Sequence, residues 1–277
     1  MPELPEVETV RRALAPVLVG RSFQRVRIDD ARLTRPFEPG GVVRRLRGER
    51  VAGVERRGKY LVLRFDSGRS LLVHLRMTGS LRHAPGGRLD SDAYRRALVR
   101  LDDGSALGFR DVRRFGTWLV LEPGELEPYL AARLGPEPLE PSFRGRDLAA
   151  RLAGRRAPVK AAILDQRTVA GVGNIYADEA LWRARVHPRR EARSLDAGEV
   201  QALHRAIRDA LRLGIARQGS TLTDYRLPDG APGGRQDEFR VYGREGEPCE
   251  RCGTPVERTV VAGRGTWYCP ACQRLEA

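Results

Sequence analysis

The hydrophobic pattern changes period along the chain, and each change marks an architectural boundary. Residues 3–19, "ELPEVETVRRALAPVLV", place Val7, Val10, Leu14 and Val17 at helical spacing, with Pro16 able to bend or end the helix. The texture then shortens into runs such as "VAGVERR", "KYLVLRF", "SLLVHLRM", "RRALVRL" and "TWLVLE", separated by Gly, Asp and Ser. That spacing predicts hairpins of an antiparallel sandwich or barrel reaching to about residue 123. The proline-rich stretch 124–143 reads as a linker with one helix. From 144 to 219 the period is helical, plainest in "GEVQALHRAIRDALRLGIARQG". "LPDGAPGGRQDEF" reads as a flexible loop. The expected fold class is therefore α+β with two domains: an N-terminal helix and β-sandwich over 1–123, and a helical region over 144–240. A terminal module follows over 241–277.

Composition adds little to the fold but narrows the partner. Hydrophobic residues are 41% of the 277, and no apolar run nears the roughly 20 residues of a membrane span. The N-terminus lacks the basic and apolar regions of a signal peptide, so a cytoplasmic protein with no membrane association is expected. The formal charge of +14 points to a polyanion. A general arginine bias accounts for some of it, since every basic residue except Lys59 and Lys160 is arginine. Those two positions stand out as places where a primary amine is wanted.

All four cysteines lie in the terminal module, as Cys249, Cys252, Cys269 and Cys272. Stable disulfides are disfavoured in the cytosol. Two C-x-x-C pairs joined by a hairpin-length interval can enclose one metal ion tetrahedrally. Zinc is the leading occupant, although a lone iron centre takes similar ligands. Four sulfurs leave no open position, so a structural ion and no catalytic metal are expected. Arg258 and Arg264 fall near the hairpin tip.

The start "MPELPEVE" is dense in proline and glutamate. Removal of Met1 would expose the secondary amine of Pro2, a carbon nucleophile whose reference pKa of about 8 leaves much of it neutral at physiological pH. Glu3 and Glu6 lie beside it as proton carriers. Carboxylates capping a helix start explain the same residues equally well.

Taken in order, "PELPEVE", "HLRMTG" at 74–79, "DVRRFG" at 111–116, "GVGNIYADEALW" at 171–182 and the four-cysteine finger resemble the bacterial formamidopyrimidine-DNA glycosylase family over essentially the whole chain. The resemblance implies a helix–two-turn–helix domain ending in a zinc finger. It also implies a bifunctional monomeric enzyme of base excision repair, acting on double-stranded DNA that contains oxidised purines or abasic sites. Pro2 then resembles the Schiff-base nucleophile, Glu3 the acid–base residue and Glu6 its supporting glutamate. Lys59 resembles the hairpin proton donor, and Arg264 the finger arginine of the phosphate and elimination steps. Asn174 resembles the phosphate-binding asparagine, helped by the "GVGN" backbone. Met77, Arg113 and Phe115 resemble the residues that fill the hole left by an extruded nucleotide, although isolated apolar residues beside strands are usually core. His74 and Lys160 are expected phosphate contacts, with a satisfied structural histidine and a helix-capping lysine as alternatives. Arg155 and Arg156 are expected on phosphate. Residues 219–239 resemble the lesion-recognition loop.

One element departs from the family pattern. Its frequent His-x-His has no counterpart in "DSDAYRR", residues 90–96, and that role is not carried onto Asp92 or Tyr94. Two other functions compete: an endonuclease VIII-type glycosylase preferring oxidised pyrimidines, and a non-catalytic zinc-bearing DNA-binding protein.

Overall fold

The computed structural model describes all residues except 90, 91, 223, 276 and 277, so the stretch 90–96 and the loop 219–239 each lie partly outside the described residues. The chain forms two compact units, one of Met1–Ala132 with Arg217–Gly234, the other of Arg133–Ala216 with Arg235–Ala277. Residues 217–234, expected with the helical region, thus group with the N-terminal unit.

In the first unit, α1 (Leu4–Leu18) buries Val7, Val10, Leu14 and Leu18. Leu18, rather than the expected Val17, completes the stripe, while Val17 packs partly buried against the core. Pro16 sits inside the last turn with its ring exposed, and the helix ends two residues later. After β1 (Phe23–Ile28) and α2 (Pro39–Leu46) come seven strands. These are β2 (Val51–Arg57), β3 (Tyr60–Phe65), β4 (Ser70–His74), β5 (Gly79–Ala84), β6 (Arg95–Leu101), β7 (Ala106–Asp111) and β8 (Thr117–Leu121). Together with β1 they form two antiparallel four-stranded sheets, ordered β1-β6-β7-β5 and β2-β3-β4-β8.

Period-2 alternation puts Ala97, Val99 and Leu101 of β6 into one core shared by both sheets. Edge-on ring pairs bridge the sheets: Phe23 with Phe65 at 5.4 Å, and Phe109 with Trp118 at 5.8 Å. The result is the expected antiparallel sandwich. The single linker helix is α3 (Leu126–Ala131).

The second unit contains α4 (Gly145–Leu152), α5 (Val159–Leu164), α6 (Asn174–Ala184), α7 (Ala197–Ala216) and the hairpin β9 (Glu257–Val261) with β10 (Arg264–Tyr268). Its least expected feature is the fully buried Glu179 of α6. One carboxylate oxygen accepts from the backbone N–H groups of Arg240, Val241 and Tyr242, at 2.9, 3.0 and 3.2 Å. The other accepts from the equally buried Arg235 at 2.8 Å. That pair orders the end of the sequence read as flexible, where Arg235–Glu238 forms a 3₁₀ turn.

Breaking a buried pair by removing one partner leaves an uncompensated charge, at a cost of about 3–5 kcal/mol. Glu179→Ala should therefore lower unfolding stability by about that amount in urea titration. A loss under about 1 kcal/mol would show that water replaces the carboxylate.

Candidate catalytic and nucleic-acid-binding site

In the first unit the site is built on the start of α1. Pro2, Glu3 and Glu6 are all buried. Glu6, in the first turn, accepts the Glu3 N–H at 2.8 Å through Oε2, which is half of a capping box. Its other oxygen accepts the N–H of Ser220 at 2.9 Å and its hydroxyl at 3.2 Å. One carboxylate thus ties the helix start to the segment 217–234. Gly219 makes that approach possible: its φ is +79°, and a Cβ there would lie 2.8 Å from the Glu6 Cγ. The buried Tyr225 hydroxyl lies 3.3 Å from the Glu6 carbonyl oxygen and 3.2 Å from that of Gln218. Ser220 and Tyr225 were missed in the sequence, because their partner lies more than 200 residues away.

Lys59 occupies the two-residue turn between β2 and β3, after Gly58 with φ +55°. It is only 6% exposed. His74 ends β4, directly opposite Tyr60, whose ring meets it edge-on at 4.8 Å. Its Nδ1 accepts the Arg76 N–H at 2.9 Å, so the ring's proton sits on Nε2. Burial, with Arg76 and Lys59 nearby, pushes its pKa down to about 3. His74 is therefore a neutral, largely satisfied histidine, which leaves at most one Nε2–H for a phosphate or sugar.

Asp111 pins the two loops expected to enter DNA. Buried to 1% exposure, it accepts the Thr78 hydroxyl through Oδ1 and the Gly116 N–H at 2.7 Å through Oδ2. Thr78 in turn accepts the Arg113 N–H at 3.0 Å. Arg114, at φ +63°, donates to Asp30. The loops at 76–78 and 112–116 are thus held as one rigid edge. Phe115 is 52% exposed with the Arg113 guanidinium 4.9 Å above its ring, so the core interpretation fails for it. Met77 is half-buried.

In the second unit Asn174 opens α6 after Gly173. Its Nδ2 donates to the Gly265 carbonyl at 2.9 Å. Lys160 requires a correction. It is not a phosphate contact, because it has no exposure. Its ammonium lies 2.7 Å from Asp178 and donates to the Thr266 hydroxyl at 2.7 Å and the Gly265 carbonyl at 3.0 Å. Burial raises the Asp178 carboxyl, while Lys160 and the Trp267 N–H draw it back. This cluster clamps β10 to α6, and it holds Arg264 exposed at the start of β10 beyond the Ala262–Gly263 turn. Arg155 pairs with Asp165 at 3.1 Å, whereas Arg156 is exposed.

The four cysteine sulfurs lie within 4.8 Å of one another. Cys249–Cys272, Cys252–Cys269 and Cys252–Cys272 are separated by 4.0, 3.5 and 3.5 Å. Tetrahedral zinc with Zn–S bonds of about 2.3 Å requires edges of about 3.8 Å, so the set fits one structural zinc. Trp182 donates its indole N–H to the Cys249 sulfur at 3.4 Å, a second layer around the site.

A β-sandwich, a helical unit and a zinc-held hairpin define the helix–two-turn–helix, zinc-finger class. Three family profiles match in order: the formamidopyrimidine-DNA glycosylase N-terminal domain over 1–118, its H2TH domain over 134–226, and the zinc finger found in FPG and IleRS over 246–275. The chain belongs to the formamidopyrimidine-DNA glycosylase family. Relatives of that name from Symbiobacterium thermophilum and Thermus thermophilus are each 48% identical over 99% of this chain, and the alignments cover 89% and 98% of theirs. The crystal structure of the Fpg protein of Thermus thermophilus superposes with TM-score 0.89 at 46% identity, covering both chains fully. Lactococcus lactis Fpg bound to abasic-site DNA superposes at 0.92 with 35% identity, over 99% of this chain and 100% of that one.

Elemental analysis should find about one zinc per chain. Chelation, or Cys269→Ser, should release it and shift the fluorescence of Trp182 and Trp267, which pack around the cysteines. A native spectrum in zinc-free protein would exclude a structural ion.

Proposed function

We propose that the chain is a bifunctional DNA glycosylase and abasic-site lyase that removes oxidised purines, 8-oxoguanine and formamidopyrimidines, from double-stranded DNA. The observation that carries this reading is the Glu6 carboxylate, which holds the Pro2–Glu3 terminus and the segment 217–234 together. Family relatives support the substrate class, since Lactococcus lactis Fpg has been crystallised with both abasic-site and Fapy-dG DNA. We place the protein, acting as a monomer, in the cytoplasm with its DNA. No helix among the described residues is long and apolar enough to cross a membrane.

Once Met1 is removed, the neutral Pro2 nitrogen attacks C1′ of the damaged nucleotide as the base leaves. The resulting iminium withdraws electrons and makes a C2′ proton removable. β-Elimination then expels the 3′ phosphate, and δ-elimination the 5′ phosphate. Glu3 protonates the opened sugar oxygen and afterwards shuttles protons, with Glu6 fixing its backbone. Lys59 supplies a proton from the β2–β3 turn. Arg264, Asn174, Arg155 and Arg156 bind phosphate. Met77, Arg113 and Phe115 fill the vacated stack, and Arg113 reads the orphaned cytosine. Zinc holds the finger hairpin and takes no part in the chemistry. The segment seated on Glu6, which resembles the purine family's lesion-recognition loop, favours this reading over the oxidised-pyrimidine alternative.

Borohydride reduction during reaction with 8-oxoguanine duplex should give one covalent adduct, mapped by mass spectrometry to residue 2 with Met1 absent. Retained Met1 should abolish trapping, and Glu3→Gln should suppress base removal while DNA binding stays measurable. An adduct on Lys59 would overturn the nucleophile assignment.

8-Oxoguanine opposite cytosine should be cut well and opposite adenine poorly. Arg113→Ala should remove much of that difference, on the order of tenfold for one or two lost donor contacts. Equal cutting of both pairs by the wild type would remove Arg113 from the role.

A further inference from the structure

We propose that Arg82 and Arg110, on the outer face of the β1-β6-β7-β5 sheet, form a binding site for a phosphoryl oxyanion. No step described above uses either residue. The strand register brings them together: Arg82 pairs with Gly108, and Arg110, two residues further along β7, pairs with Ser80 on one side and Arg95 on the other. Period-2 alternation therefore lays arginines from β5, β7 and β6 side by side on one face. Like charges directly opposite one another on a sheet are destabilising, so such a row requires compensation.

Among the described residues the compensation is incomplete. Asp92 pairs with Arg110 at 2.8 Å, and Asp29 with Arg95 at 3.1 Å. The Arg82 side chain has no hydrogen bond or ion pair among the described residues. It is half-buried, and burial together with Arg110 and Arg226 pushes its pKa down, opposed by Asp229 and Asp92. A partly desolvated guanidinium beside other guanidiniums favours an anion in its fork.

The space for that anion is present. Arg82, Arg88, Arg95, Arg110, Asp92 and Asp229 line a cavity of about 390 Å³, within the usual range for small ligands. Two glycines shape it. Gly108 leaves room for Leu89, whose Cδ1 would lie 2.8 Å from a Cβ, and Gly230, at φ +102°, lets the chain pass the Arg82 guanidinium, which would lie 2.6 Å from a Cβ. The Pro228 carbonyl fixes that wall by accepting the His83 N–H at 3.1 Å. The strands carrying the site run directly into the loops of Met77 and Arg113, through the pair Gly79–Asp111. The phosphoryl group can thus come from the DNA backbone, in which case the site rests on the glycosylase reading, or from a free phosphate.

The test uses full-length, zinc-loaded protein, with calorimetric titration of inorganic pyrophosphate and, separately, binding to undamaged duplex across a salt series. With a free phosphate as ligand, Arg82→Gln should weaken pyrophosphate binding about tenfold, the worth of one charge-assisted hydrogen bond. With a backbone phosphate as ligand, the same change should reduce the logarithmic salt slope by about one. Arg82→Lys should restore the slope but not the pyrophosphate affinity, because it keeps the charge and loses the fork. Should Arg82→Gln fail to fold, as judged by zinc content and melting, Arg110→Gln replaces it with the same expectations. Folded variants that bind both probes as the wild type does overturn the site. Borohydride trapping on the same preparations separates the readings: intact trapping without either phosphate effect rejects this site alone, and lost trapping in the wild type rejects the catalytic assignment alone.

Discussion

The N-terminal unit depends on a single carboxylate with two faces. Glu6 spends one oxygen on the Glu3 N–H and the other on Ser220, so the position of the N-terminus and the position of the segment 217–234 are coupled variables. A helix start normally leaves its first N–H groups to solvent or a local cap. Here the cap is shared with a segment distant in sequence. Movement of that segment withdraws a hydrogen bond from the carboxylate that also holds the Glu3 N–H, beside the proposed nucleophile Pro2. Gly219 and Tyr225 reinforce the coupling, one by allowing contact and the other by spanning the Glu6 and Gln218 carbonyls.

The second unit uses the same device with opposite sign. There a cation, Lys160, joins α5 to β10 and to the Asp178 carboxylate of α6. The Gly265 carbonyl accepts from both Lys160 and Asn174, so the helix start proposed to face phosphate and the hairpin carrying Arg264 are held by one backbone oxygen. The zinc site fixes the other end of that hairpin. Loss of either anchor leaves Arg264 on a two-stranded ribbon, and isolated ribbons of that size are marginal in water.

What was legible in the sequence follows from the range of the interactions. Strand runs, the α1 stripe and the cysteine spacing are local patterns, and they appear where expected, with Leu18 in place of Val17 as a phase error of one residue at a helix end. The roles of the site residues came from resemblance, whereas those of their supports, though they lie within the same motifs, were not assigned from it. Asp111, Thr78, Ser220, Tyr225 and Glu179 act through partners that only the folded chain brings near. A buried carboxylate serving backbone N–H groups has no periodic signature. The loop ending in Arg235–Glu238 looked flexible because its composition is polar, while the carboxylate that orders it belongs to α6.

The rarity of lysine takes on meaning in this light. A chain that uses arginine at every other basic position keeps Lys59 at 6% exposure and Lys160 at none. The ammonium of Lys160 pairs with Asp178 and donates to the Thr266 hydroxyl and the Gly265 carbonyl, which lie in different directions around it. A planar guanidinium is larger and projects its donors in one plane, so it cannot occupy that space with the same satisfaction. The phosphate contact expected at position 160 is instead a buried clamp, because surface charge and buried clamp look alike in one dimension. For Lys59, the proton donor of the proposed mechanism, the constraint is chemical. An amine can give up a proton near neutral pH when its surroundings favour it, whereas an arginine side chain stays charged.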